Sequence, residues 1–159
     1  MKDPVERLGR SEKGGAVSTD DNKDVVSRFY EDVLNSADFD ALDELAVADY
    51  EEHDPLPGQG EGREGLRDRA RTLVHAFSPQ FTIEDVIAEG DRVVVRWTNS
   101  GTHSGDFLGI PATGRTVSFA GIDIYRVEDG KLAEHWHVVD QLSMLIQLGV
   151  VTLPGAPAE

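Results

Sequence analysis

Thr116-Val117-Ser118-Phe119-Ala120-Gly121-Ile122-Asp123-Ile124-Tyr125-Arg126-Val127-Glu128-Asp129-Gly130-Lys131-Leu132-Ala133-Glu134-His135-Trp136-His137-Val138-Val139 reads as two strands joined at a turn. β-Branched and aromatic residues fill both arms, and Gly130 suits the left-handed position that closes a tight hairpin loop. Taken as a three-residue loop, Glu128-Asp129-Gly130 sets Val127 against Lys131 and Asp123 opposite His135. His137 is then the diagonal neighbour of Asp123, roughly 7–8 Å away at the backbone. A two-residue Asp-Gly loop sets Asp123 opposite Trp136 instead. The longer loop gathers Phe119, Gly121, Asp123 and Tyr125 on one face with Ala133, His135, His137 and Val139. Titratable groups between apolar walls are what an enclosed pocket requires.

Working outward, Arg92 to Asn99 and Phe81 to Ile87 read as two further strands around a turn at Glu89-Gly90-Asp91. A loop from Phe107 to Gly114 leads into the hairpin. The first half is helical. From Asp24, the residues Val25, Val26, Phe29, Tyr30, Val33 and Leu34 recur at helical spacing. Asp38 caps a short helix carrying Leu42, Leu45 and Ala46, and Pro55 and Pro57 break the chain after Tyr50 to Asp54. A third helix is predicted over about Gly62 to Phe77 and ends at Ser78-Pro79. Asp140 caps a last amphipathic helix with Leu142, Leu145, Ile146 and Leu148. Helices first and an antiparallel meander afterwards is an α+β arrangement. The predicted organisation is a disordered leader over 1–21, a domain over 22–150 and a loose tail over 151–159.

The formal net charge of −15 repels phosphate backbones and argues against nucleic acid as a partner. The basic set holds 4 lysines and 11 arginines, a solvated acidic surface poor in lysine that suits concentrated salt as well as ordinary cytosol. Cysteine is absent, so disulfides, thiolate metal sites and a cysteine nucleophile are excluded. No apolar run reaches a membrane span, and the first residues lack the apolar core of a secretory signal. The expected location is the cytoplasm.

Three stretches resemble the SnoaL-like polyketide cyclases, also called ester cyclases. They are Thr102-His103-Ser104-Gly105-Asp106-Phe107-Leu108-Gly109-Ile110-Pro111-Ala112-Thr113-Gly114, then Gly121 to Arg126, then Gly130 to Trp136, supported by Asp49 to Pro55. The resemblance covers about residues 22 to 150. It implies the cone-shaped nuclear transport factor 2-like fold, a curved antiparallel sheet packed on N-terminal helices around an internal pocket. It also implies an intramolecular aldol cyclisation that needs neither metal nor cofactor. The family's general acid/base is an aspartate directly after the His-Trp pair, and this chain has His137 there. The family's histidine fourteen residues earlier is Asp123 here, so the two residue types are exchanged.

Asp123 and His137 are therefore the expected catalytic pair, the carboxylate orienting the ring and raising its basicity from about 6.5. The other ring nitrogen would remove a proton α to a carbonyl. His53, His103 and His135, with Tyr30, Trp97 and Phe119, are the candidates for contacting a small carbonyl substrate. Alternating histidines could instead hold a metal with Asp123 and His103, against which the resemblance speaks. Trp97 and Trp136 read first as core or interface, with Trp136 on the face away from Asp123. Arg126 is expected to pair with an acidic neighbour on the outer sheet face. That face carries apolar residues no helix can cover, so a homodimer is expected. Three functions fit: an acid/base enzyme (cyclase, isomerase or hydrolase), a non-catalytic small-ligand module, and an interaction domain with a vestigial pocket.

Overall fold

The computed structural model describes residues 18–155. Helix α1 spans Thr19–Arg28 and opens on a capping box, in which the Ser18 hydroxyl accepts from the Asp21 amide and the Asp21 carboxylate receives the Ser18 amide. It thus begins inside the stretch expected as a leader; the rest of that stretch, 1–17, lies outside the described residues. The helix continues as a π-helical segment, Phe29–Asn35, whose Phe29, Tyr30, Val33 and Leu34 are all buried. Asp38 caps a 3₁₀ turn, Phe39–Ala41, that runs into the short α2, Leu42–Leu45.

Strand β1 follows at Ala46–Glu52, then α3 at Gly62–Phe77, β2 at Gln80–Glu89, β3 at Arg92–Thr102, β4 at Thr116–Glu128, β5 at Lys131–Val139 and α4 at Gln141–Gln147. The fold is α+β, and the strand order is β1-β5-β4-β3-β2. The meander β2–β5 is antiparallel as expected, and β1 adds a parallel edge beside β5. Ala46, expected in a helix, is the first residue of that edge strand. It is fully buried, and its tertiary pairing with Leu132 outweighs its helix propensity.

The hairpin register differs from both sequence alternatives. Glu128 pairs with Lys131 across a two-residue Asp129-Gly130 turn with φ of 49° and 73°, the left-handed pair of a type I′ turn. A bulge at Ala133 then shifts the pairing by one residue. Asp123 consequently pairs with His137 and Tyr125 with His135. The bulge restores the side-chain parity the shorter turn alone would have reversed, so the predicted inner face survives although its partners change.

The long strands β3 and β4 carry inward residues at alternate positions: Val93, Val95, Trp97 and Asn99 on β3, Val117, Phe119, Asp123 and Tyr125 on β4. Trp97 sits directly opposite Gly121, where a Cβ would stand 2.3 Å from the indole ring. Only glycine leaves that space, so the indole can lie flat against the sheet inside the core. Helix α3 closes the concave side with Leu66, Ala70 and Phe77. The outer face keeps its charges paired, Arg126 with Glu128 and Glu134 as expected. Asp140 caps α4 through the Ser143 amide. Residues 151–155 of the predicted tail carry no helix or strand, and no described helix is long and apolar enough to cross a membrane.

Candidate active site

Between the sheet and helices α1 and α3 lies a cavity of about 80 Å³. Aromatic and aliphatic side chains make most of its wall, including Tyr30, Leu66, Phe77, Trp97 and Phe119. The polar groups collect where β4, β5 and α3 converge: Asp123, His135, His137 and Arg69. An apolar cavity with a few convergent polar groups is the form of a small-molecule site.

Asp123 is buried and accepts a hydrogen bond from the Tyr30 hydroxyl, with the Tyr125 hydroxyl 3.4 Å from the same oxygen. Its nearest cation is His135, whose Nε2 stands 3.6 Å from Oδ2, an ion-pair separation rather than a hydrogen bond. The Nδ1 of His135 lies 2.8 Å from Glu52 Oε2. Glu52 is delivered by the parallel pairing of β1 with β5, which places it directly beside His135. His135 therefore sits between two carboxylates, all three at most 8% exposed. Burial alone would push the imidazole pKa down, but Asp123 and Glu52 outweigh it and hold the ring above its ordinary value. Burial would likewise raise both acids, yet the His135 ring keeps each below the ordinary carboxylate range.

His137 has different surroundings. Its Nδ1 faces Glu52 Oε1 at 3.8 Å and its Nε2 lies 3.5 Å from Arg69 Nη2. Burial, then the positive charges of Arg69 and His135, lower its pKa below the ordinary imidazole value. It is the neutral histidine of the pair. Asp54 fixes its backbone by accepting from the His137 amide at 3.0 Å. The partner of Asp123 is thus His135, and the carboxylate behind His137 is Glu52. The expected contact between Asp123 and His137 does not form: the Asp123 carboxylate is taken up by Tyr30 and His135, and the His137 ring faces Glu52 and Arg69.

Of the residues expected to contact a substrate, Tyr30, Trp97, Phe119 and His135 line the cavity. His53 and His103 do not. His53 lies at the exposed end of β1, stacked on Trp136 with ring centres 4.3 Å apart and bonded to Glu134. His103 is fully buried outside the cavity wall, stacked against Phe77, with Nδ1 accepting from the Thr113 amide. Trp136 is on the outer face as expected, where His53 and Arg92 of the same chain pack against it. Glu52 and Arg69 were missed by the sequence reading. Arg69 sits one position before the inward Ala70 and carried no signal of its own; Glu52 would have been found by pairing Tyr50 to Asp54 in parallel with the second arm of the hairpin.

Glu52, His135 and His137 bring three potential metal-ligand atoms within 4.8 Å of one another, as do the surface residues Glu51, His53 and Glu134. The Arg69 guanidinium beside His137 opposes a further cation at the first group. The metal set weighed from the sequence, which included His103, is not assembled.

A curved sheet closed by helices over an apolar cavity, with its titratable groups at one end, defines a small-molecule pocket protein of the nuclear transport factor 2-like kind. The model of the SnoaL-like polyketide cyclase family matches residues 24–148, and the chain belongs to that family. Among curated relatives, aklanonic acid methyl ester cyclase DauD of Streptomyces sp. (strain C5) is 32% identical over 133 residues, covering 79% of this chain and 80% of the relative. Among solved structures, TsrD from Streptomyces laurentii superposes with a TM-score of 0.76 at 34% identity, covering 84% of this chain and 98% of TsrD. IdmH from Streptomyces antibioticus gives 0.70 at 34% identity, covering 81% and 99%.

Proposed function

We propose that this chain is an acid/base enzyme that removes a proton α to a carbonyl of a polyketide-like compound, with cyclisation as the favoured outcome. The observation that supports it is a pair of neighbouring histidines, beside one apolar cavity, whose pKa values are pushed in opposite directions. His135, between two carboxylates, has its pKa raised; His137, largely buried next to the Arg69 guanidinium, has its pKa lowered. Environments that push neighbouring titratable groups apart mark acid/base sites.

In this reading His137 is the base. With its Nδ1–H turned to Glu52, the Nε2 lone pair has only a long 3.5 Å contact with Arg69. A bound substrate displaces that contact, and Nε2 takes the acidic proton, which the same ring returns to the alkoxide once the new carbon–carbon bond has formed. The ring stands where the cyclases of this family carry an aspartate. A neutral imidazole and a carboxylate do the same work there, provided the ring is not already protonated. Lowering its pKa meets that condition. The curated relatives are named for a methyl ester cyclase activity, which supports cyclisation over isomerisation or hydrolysis.

The test is deuterium exchange at the central carbon of an aryl 1,3-diketone such as benzoylacetone, followed by NMR. Catalysed exchange should be flat across neutral pH and fall as pH drops through a value below 6.5, because protonation removes the base and the ring's pKa is lowered. No catalysis over buffer at any pH, with binding intact, would support the non-catalytic ligand module instead.

The proposed assembly is a homodimer through the outer sheet face. Ile122 lies opposite Val138 and Ile124 opposite Val94, while Ile87 also pairs with Val94. Ile122, Val138 and Ile87 are 47%, 77% and 65% exposed, a contiguous apolar patch that a second copy would cover. Light scattering at micromolar concentration should give twice the chain mass, and Val138→Glu should halve it; a wild-type monomer would refute the dimer.

A further inference from the structure

Acidic residues outnumber basic ones 30 to 15 in this chain, and its arginines are correspondingly well supplied with partners. Among the described residues, Arg28, Arg63, Arg67, Arg71, Arg92, Arg96 and Arg126 each have a carboxylate within 4.0 Å. The exceptions are Arg115, which is exposed and holds the Gln147 carbonyl, and Arg69, which lines the cavity. The guanidinium of Arg69 has only long, neutral contacts: the Asp54 carbonyl at 3.3 Å, the Gln59 amide oxygen at 3.4 Å and His137 Nε2 at 3.5 Å. The carboxylates that could have paired with it, Glu52 and Asp123, are both turned to His135.

An arginine half-buried in an apolar cavity with no carboxylate on its fork is poorly satisfied unless the ligand brings one. Its planar donors match a carboxylate in the two-point manner that lysine cannot reproduce. We propose that this pocket takes a substrate bearing a free carboxylate, held by Arg69, with its apolar body against Leu66, Phe77, Trp97 and Phe119. The proposal rests on the reading of the cavity as a small-molecule acid/base site and adds the class of molecule it selects. Anchoring the carboxylate at Arg69 puts the carbons nearest to it beside Nε2 of His137, so the proton removed lies within a few bonds of the acid group.

The test compares 2-naphthylacetic acid with its methyl ester by calorimetry at pH 7.5. The two share an apolar body and differ in the charge that Arg69 would receive. The wild-type protein should bind the acid at least about tenfold more tightly than the ester, the scale of one charge-assisted pair. Arg69→Gln should abolish that preference while leaving ester affinity within about twofold, and Arg69→Lys should restore part of it. Equal or tighter ester binding by the wild type would overturn the proposal and leave Arg69 to a transient enolate. So would an acid preference that survives Arg69→Gln, or a parallel loss of both ligands in that variant, which would make Arg69 structural. If neither compound binds, the small-molecule reading of the cavity fails, and the carboxylate proposal with it.

Discussion

Replacing His137 with alanine should slow deuterium exchange of a cavity-bound 1,3-diketone by roughly 10²–10⁴-fold, the usual contribution of a positioned base. The side chain is 9% exposed and its ring is neutral, so its loss strands no buried charge. Stability should therefore fall by no more than a small side-chain truncation costs, and the melting curve should keep its cooperativity. The magnitude depends on Nε2 being the atom that takes the proton. If His137→Ala exchanges at the wild-type rate, the base is elsewhere, with Asp123 the next group on the cavity wall. The substitution His137→Asp discriminates further. It installs the residue type the family carries after the His-Trp pair, and activity in that variant should extend to lower pH, since a carboxylate stays ionised where an imidazole is already protonated.

The second large effect is on stability. His135→Ala should cost about 3–5 kcal/mol at neutral pH, the range for deleting one partner of a buried ion pair. Here a single cation serves two carboxylates, Glu52 and Asp123, at 6% and 8% exposure. Removing it leaves two buried negative charges close together, and one must take up a proton. The sign of the pH dependence follows from the directions of the shifts. The folded pKa of His135 is raised, so its contribution is complete below 6.5 and is lost as pH rises through the folded value. The acids are lowered, so theirs is complete above ordinary carboxylate values, 3.8 for Asp123 and 4.5 for Glu52, and is lost as pH falls through the folded values. The deficit of the variant, measured by urea unfolding, should thus be largest near pH 5 to 6 and shrink on either side. A deficit below about 1 kcal/mol throughout, the level of an exposed ion pair, would mean that water already relaxes the cluster.

Much of this molecule was legible from local pattern. The bounds of α3, Gly62 to Phe77, followed from helical spacing of apolar residues and the Ser78-Pro79 stop. The caps at Asp38 and Asp140 followed from a residue type whose side chain satisfies free amides at a helix start. The inner face of the hairpin was found through alternation, although the loop length assumed for it was wrong. Two errors, a turn one residue too long and an unseen bulge at Ala133, cancelled in parity but not in pairing. A bulge has no compositional signature, since Leu132-Ala133-Glu134 fits a regular strand as well as a bulged one. The helix start at Thr19 was overlooked because its signal is polar, a Ser18-to-Asp21 capping box, whereas apolar periodicity begins later.

The sequence by itself determined the family, the order of helices and strands, and which residues of the hairpin face inward, because each depends on short-range spacing along the chain. Tertiary structure alone decided which groups meet. Glu52 reaches His135 through a parallel pairing between strands some eighty residues apart, and Arg69 reaches His137 from a helix packed across the cavity. The basicity of each histidine depends on those long-range neighbours: the ring between two carboxylates has its pKa raised, and the ring beside a guanidinium has its pKa lowered. Strand alternation places both rings in the same pocket and is blind to that difference, since residues two apart on one strand share a face but not the elements packed against it.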